Sequence, residues 1–301
     1  MKARVSMVVI AMSICGAAII NGQDRGVPQS VAFFSARSGN NEIYLMNPDG
    51  TDPVQITHDP ASDADPDVST NGREIVFTSN RTGNNDIFVT DSNGINVWNL
   101  TNNPANDGWP RWSPNGQQIA FHSNREDDDD EISDYDIYVM DADGSNLTQV
   151  TTYPGVDQYP DWSPNGKELM FRRDMDIYAV DLADGTVRRL TKGAGLNQMA
   201  VWSPNGRRIV FMSNREGYCS VFVMNDDGSD QTNLTPKDPG DTDAEWCSRA
   251  PSWSRNGRQI YFMSSRPSTQ GDAEIFVMNA DGTEVRRLTY SLGTDGSPRA
   301  R

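Results

Sequence analysis

One phrase recurs along this chain, and its recurrence dictates the architecture. "WSPNG" stands at Trp112, Trp162 and Trp202, with the weaker "VSTNG" from Val68 and "WSRNG" from Trp253. Each copy is followed by a short apolar run anchored on Phe77, Phe121, Phe171, Phe211 or Phe262. A second run comes next, such as "DIFVT" at Asp86, "DIYVM" at Asp136 or "EIFVM" at Glu274. A glycine turn and a closing threonine (Thr101, Thr151, Thr191, Thr235, Thr289) complete the unit. A first unit lacks only the opening phrase: it has Phe33, "EIYLM" at Glu42, Gly50 and Thr57. Self-similarity at a spacing of roughly 40 to 54 residues is the mark of a repeat architecture, so the fold is read by unit.

Within a unit, runs such as "QQIAFHS" and "RQIYFMS" are β-branched and aromatic and are bounded by Asn-Gly or Asp-Gly, the pairs that supply the positive φ of tight hairpins. Helix signals are missing. Four strands per unit follow: one carrying Trp, one Phe, one Asp-Ile-Tyr and one ending in Leu-Thr. Six such sheets have apolar faces on both sides, and radial packing buries them against neighbours. The expectation is an all-β, six-bladed β-propeller of four-stranded antiparallel blades. The missing Trp strand of the first unit is supplied from the other end, because "TDGSPRAR" (Thr294 to Arg301) aligns with "NDGWPRWS" (Asn106 to Ser113). The C-terminal strand is therefore expected to pair with the N-terminal blade and close the ring.

Charge narrows the partners. Acidic residues outnumber basic ones by 42 to 26, a formal charge of −16, which repels nucleic acid and anionic membrane surfaces. The start of the chain follows a different logic: Lys2 and Arg4 precede a mostly apolar stretch from Val5 to Ile20. Such a segment reads as a secretion signal over residues 1–22, since a helix of that length spans only about 24 Å against a bilayer core of about 30 Å. Residues 23–30 form a short linker and 31–301 the propeller. The mature protein is expected to be periplasmic or secreted, monomeric and without a membrane span. Lipid anchoring at Cys15 is the weaker alternative, because "MSI" before it matches a lipobox poorly.

The composite repeat "DxxPxWSPNGxxIxFxSNRxGxxDIYVMxxDGSxxxxLT" resembles that of the TolB-like β-propeller family, whose namesake is the periplasmic protein of the bacterial Tol-Pal system. The resemblance runs from about Val31 to Arg301, and several short motifs recur in register. It implies a six-bladed fold, an exported location and protein binding. TolB also carries an α/β domain ahead of its propeller, whereas here about ten residues separate the signal from the first strand. A general TolB-like propeller is the expectation, rather than a member of the Tol system itself.

Alternating strands place the first-to-second and third-to-fourth turns on one face, and the second-to-third turns and interblade links on the other. The first set is uniformly short. The second varies, and includes "NREDDDDEISDYD" (Asn124 to Asp136) and "PKDPGDTDAEWCSRAP" (Pro236 to Pro251). Such variation on a rigid scaffold marks a binding face. The links feed the innermost strands, so "DxxPxW" residues should ring the channel mouth: Asp63, Asp65, Asp107, Trp109, Arg111, Asp157, Tyr159, Asp161, Asn197, Asp295 and Arg299, with Trp246 and Arg249 from the long link. Each leading Asp has two readings, as a cap on its own loop or as a carboxylate for a cationic or amide-rich peptide or for a cation held by several oxygens. The arginines Arg37, Arg81, Arg125 and Arg266 are expected to pair across their hairpins with Glu42, Asp86, Asp136 and Glu274, and blades four and five, where the pattern breaks, to be tied differently.

Asp127, Asp128, Asp129, Asp130 and Glu131 form a weak calcium candidate, because the run lacks the Gly-punctuated spacing of a dedicated loop and reads better as a solvated acidic loop. Cys219 and Cys247 give an even count on the variable face, compatible with a disulfide or with two free thiols. No Gly-x-Ser-x-Gly turn is present, so no catalytic residue is assigned and no cofactor is expected. The expected function is a non-enzymatic scaffold binding a protein or peptide. A carbohydrate or small-ligand binder, or a lyase of the pectin-degrading propeller type, is the alternative.

Overall fold

The computed structural model describes residues 29–125, 134–193, 195–237, 246–266, 269 and 272–300. The signal and linker expectations (1–22, 23–28), Cys15 and the acidic run from Asp127 to Glu131 lie outside the described residues. Blade 1 holds β1 (Val31–Ser35), β2 (Glu42–Met46) and β3 (Val54–Gln55), and blade 2 holds β4 (Asp63–Val68), β5 (Glu74–Ser79), β6 (Asp86–Asp91) and β7 (Val97–Asn99). Blade 3 comprises β8 (Asp107–Trp112), β9 (Gln118–Ser123), β10 (Asp136–Asp141) and β11 (Thr148–Gln149), and blade 4 β12 (Asp157–Trp162), β13 (Glu168–Arg173), β14 (Asp176–Asp181) and β15 (Val187–Arg189). Blade 5 runs through β16 (Asn197–Trp202), β17 (Arg208–Ser213), β18 (Ser220–Asn225) and β19 (Thr232–Asn233), and blade 6 through β20 (Ser248–Trp253), β21 (Gln259–Ser264), β22 (Glu274–Asn279) and β23 (Arg286–Arg287). The last strand, β24 (Asp295–Ala300), lies beside β1 and completes blade 1 in the order β24-β1-β2-β3. The structure is thus a six-bladed propeller of four-stranded antiparallel sheets, closed by its C-terminal strand.

The core sits between the blades. Among the described residues six apolar clusters are buried, each drawn mainly from two neighbouring sheets: Met170, Ile177 and Leu190 of blade 4 pack on Trp202, Phe211 and Phe222 of blade 5. Trp112 and Trp253 occupy the same slot in their own interfaces, which gives the repeated Trp its packing role. Backbone bonds add to this seam, since Trp162 Nε1 donates to the Arg111 carbonyl (3.1 Å) and Trp253 Nε1 to the Val201 carbonyl (3.2 Å). Among the described residues no helix is long and apolar enough to cross a membrane.

The hairpin arginines pair elsewhere than expected. Arg81 forks onto both oxygens of Asp63 (2.9 and 2.8 Å), Arg125 reaches Asp107 (2.8 Å), Arg37 reaches Asp295 (2.8 Å), and Arg173 forks onto Asp157 (2.8 and 2.6 Å). The cause lies one strand upstream. In blades 1, 2, 3 and 5 the serine that ends the second strand accepts from the arginine Nε, as Ser79 does from Arg81 (2.8 Å). The guanidinium then lies over the two strand aromatics, 5.5 Å from Phe77 and 4.7 Å from Phe88, and points at the inner strand. Blade 5 is tied the same way, with Arg215 on Asn197 (2.7 Å), whereas blade 4 differs, because Arg173 itself ends the second strand and gives its Nε to Asp157 as well. The third-strand carboxylates are taken instead by the closing threonines: Thr101 donates to Asp86 (3.0 Å), Thr151 to Asp136 (2.8 Å) and Thr57 to Glu42 (2.6 Å). Five of the six short outer strands are fastened in this manner; in blade 5 Ser220 replaces the carboxylate and Thr235 Oγ1 accepts from Val221 N (2.9 Å).

Candidate binding site at the channel mouth

Every inner strand carries a bulge. The third residue, Asp65, Trp109, Tyr159, Met199, Ala250 or Ser297, has φ between 47° and 58°, and the ladder to the second strand slips there in all six blades. None of these residues is β-branched, which fits the left-handed region they occupy. In five blades a Pro follows, tolerated because the innermost strand has a free edge.

Three layers of side chains line the axis. The deepest belongs to the fifth strand residue: Asp67, Arg111, Asp161, Val201, Ser252 and Arg299. Arg299 of blade 1 reaches across the channel to Asp161 of blade 4 (2.7 Å) and faces Asp67 at 3.7 Å. Each carboxylate also accepts a backbone amide from the next blade, Trp112 N on Asp67 (2.8 Å) and Trp202 N on Asp161 (3.2 Å). Burial raises the Asp161 carboxyl above its ordinary range despite Arg299, and desolvation with the repulsion of Arg299 lowers Arg111 to about 9. The middle layer is the bulge residues: Ser297 donates to Asp65 (2.9 Å), the Trp109 and Tyr159 rings meet edge to face at 4.8 Å, and Arg111 lies over Trp109 at 4.7 Å.

The outermost layer opens on the variable face. It is formed by the second residue of each inner strand and the residue it faces on the second strand. In blade 4 these are Gln158 and Arg172, in blade 5 Gln198 and Met212, in blade 6 Arg249 and Met263, in blade 3 Gly108 and His122. Arg172 donates to both Gln158 (2.8 Å) and Gln198 (3.2 Å) and lies over the Tyr159 ring at 5.4 Å. His122 is edge-on to Tyr135 (5.2 Å) and Tyr159 (5.8 Å). Gly108 makes room for it, because a Cβ there would lie 2.9 Å from His122 Nε2. Desolvation, with Arg172 and Arg111 adding to it, pushes His122 down to about 3, so the ring is neutral at physiological pH.

The thirteen residues expected at the mouth therefore separate. Asp63, Asp107, Asp157 and Asp295 are fully buried and ion-paired, and Asn197 is buried beneath Arg215. Asp65, Trp109, Arg111, Tyr159, Asp161 and Arg299 line the channel below the mouth. Trp246 is buried, with its ring 6.4 Å from Tyr218 and 5.1 Å from the Arg266 guanidinium. Arg249 alone is openly exposed at the mouth. Sequence reasoning passed over Arg172, Gln158, Gln198 and His122. Their signal was variation: within otherwise repeated strands, these positions differ from blade to blade.

Cys219 and Cys247 are brought face to face by an isolated parallel bridge, with the Ser248 amide on the Cys219 carbonyl (3.0 Å). Both are free thiols in this structure. A hydrogen bond from Cys247 lowers the Cys219 thiol to about 7, and the same contact pushes Cys247 up. In reduced protein, alkylation of Cys219 by iodoacetamide is expected to rise through about pH 7 while Cys247 stays unlabelled. Peptide mapping after a timed pulse checks this, and equal labelling of both contradicts it.

Comparison with known proteins agrees with this geometry. The TolB β-propeller family model matches residues 25–128, and the dipeptidyl peptidase IV N-terminal region matches 131–200. The Tol-Pal system protein TolB of Geobacter sulfurreducens is 47% identical over 45 residues, 15% of this chain and 10% of that protein. The crystal structure of TolB from Acinetobacter baumannii superposes with a TM-score of 0.76 at 21% identity, covering 91% of this chain and 67% of that one. Residues 25–128 thus match the TolB β-propeller family, and the chain shares the propeller fold of TolB. The fold is shared more widely: oligogalacturonate lyase from Vibrio parahaemolyticus matches this TolB-like propeller with a TM-score of 0.58 at 13% identity, over 86% and 73% of the two chains. The curated match spans only a tenth of its relative's length.

Proposed function

We propose that this TolB-like propeller is an exported, monomeric, non-enzymatic scaffold that binds a protein or peptide segment at the variable-face mouth of its channel. The observation that carries the reading is the Arg172 cluster. Two glutamine amides, a guanidinium, a tyrosine face and a neutral imidazole converge at a half-open site on rigid strands, and Arg249 stands exposed beside them. Amides and guanidinium groups pair with an extended backbone and with carboxylates, and the aromatic edges supply contact area. Four of the expected mouth carboxylates are neutralised by arginines inside the blades, so the ligand is better matched as an acceptor-rich peptide than as a cationic one.

Among the described residues no group of three or more His, Cys, Asp or Glu is arranged to hold a metal, and the neutral His122 ring is hemmed in by two tyrosines. The lyase and carbohydrate readings thus rank behind peptide binding. In the oxidising compartment proposed here, Cys219 and Cys247 close into a disulfide that fixes the link beside Arg249, contributing roughly 3 kcal/mol.

Capture from an envelope extract, followed by titration of the purified partner, tests the reading. Arg172→Glu is expected to weaken binding at least tenfold, about 1.4 kcal/mol, without changing the melting temperature. Undiminished affinity in that variant, or turnover of oligogalacturonides by the wild type, contradicts the proposal.

A further inference from the structure

A second cavity lies at the other end of the channel, among the short turns. It encloses about 270 Å³ and is asymmetric. One side is apolar, with Pro164, Pro204 and Val201. The other presents Ser252, Arg255 and Arg299. The asymmetry follows from sequence, because blades 1 and 2 carry Ala300 and Val68 where the other four blades carry Trp.

The floor decides which ligand fits. Its carboxylates are engaged: Asp161 accepts from Trp202 N and Arg299 Nη2, and Asp67 accepts from Trp112 N and faces Arg299. Two buried donors in its lining make no hydrogen bond, Trp112 Nε1 and Arg299 Nε, the latter facing Asp67 at 3.7 Å, in residues that are 2% and 7% exposed. A buried donor that makes no hydrogen bond is costly, and an incoming acceptor recovers that cost. Arg255 at the rim adds a second guanidinium, exposed to solvent.

We propose that this cavity binds a small amphipathic carboxylate, an apolar ring or short chain lying against Val201 and the prolines with its carboxylate directed to Arg299 and Arg255. A cation finds no idle acceptor on the floor, and a fully polar anion leaves the apolar wall unused. The site is independent of the mouth, from which the Arg299–Asp161 pair separates it.

Phenylacetate and hexanoate are the probes, read by the emission of the tryptophans that line the cavity. Both are expected to saturate in the millimolar range or below, while phenethylamine, with the same ring and an ammonium group, binds at least tenfold more weakly. Val201→Tyr, at a position where blade 3 carries an arginine, is expected to block the cavity and abolish the response. Arg255→Glu weakens it about tenfold with an unchanged melting temperature, and carries the test should the first variant not fold. Arg172→Gln at the mouth leaves it intact. A phenethylamine response equal to that of phenylacetate, a full response in folded Val201→Tyr, or a wild-type response no larger than that to acetate overturns the proposal.

Discussion

A chain ending at Gly293 is expected to lose its cooperative fold. Removing Thr294 to Arg301 deletes β24, and with it the inner strand of blade 1 and its ladder to β1 from Val31–Ala300 to Ser35–Asp295. Three axial ties go too: Asp295 on Arg37, Ser297 on Asp65, and Arg299 on Asp161. The loss is not confined to one blade. The cluster between blades 6 and 1, including Tyr261, Met263, Val31 and Phe33, opens to water, and so does the free edge of β1. Asp161 is left as a buried charge lacking the partner it has now, a mechanism that costs several kcal/mol, and the half-buried Arg37 loses its carboxylate. Set against a typical domain stability of about 5–15 kcal/mol, this exceeds what the remaining blades can hold. Circular dichroism and thermal melting of the truncated chain, with and without an added peptide of residues 294–301, measure it. An unchanged melting temperature would show that the ring does not depend on its closing strand.

Much of this fold was legible because its grammar is repetitive. The Asn-Gly turns, the Phe anchors and the alignment of Pro298 and Arg299 with Pro110 and Arg111 each follow from local physics, and six copies let one reading correct another. Repetition also misled. Arg81 recurs together with both Asp63 and Asp86, so spacing cannot tell which carboxylate it meets. The nearer one across the hairpin was the natural choice, but the serine at the strand end and the two aromatic faces turn the guanidinium toward the axis. The mouth was obscured for the opposite reason. His122, Arg172, Gln158 and Gln198 do not recur, and a reading built on what repeats passes over what does not. The inner-strand bulge was equally hidden. Its trace is the missing β-branched residue at one position in all six copies, which is an absence and not a motif.

The largest single-residue effect is expected at Asp161. It sits at the centre of the ring with Arg299 on one oxygen and the Trp202 amide on the other, and both residues are buried. Asp161→Ala removes the negative partner and leaves the Arg299 charge with Asp67 at 3.7 Å, while the amide loses its acceptor. Breaking a buried pair in this way costs about 3–5 kcal/mol, whereas Asp161→Asn keeps an acceptor for the amide and costs less. The double variant Asp161→Leu/Arg299→Met removes both charges and is expected to recover part of the loss, a non-additivity that a double-mutant cycle reads directly. The pH dependence carries an independent sign. Desolvation raises the folded-state pKa of Asp161 above that of the unfolded chain, so its protonation favours folding: the contribution is fully present below the unfolded value and is lost as pH rises through the folded one. Exposed turn carboxylates such as Asp49 and Asp143 are shifted down by hydrogen bonds from Thr51 and Ser145, and their contribution is lost instead as pH falls. Comparing denaturant midpoints of wild type and Asp161→Asn across this range isolates the buried group, because the turns are common to both. The wild type should lose stability relative to the variant on moving upward through the raised pKa, and a difference that is flat or runs the other way would mean that Arg299, and not burial, governs the charge of Asp161.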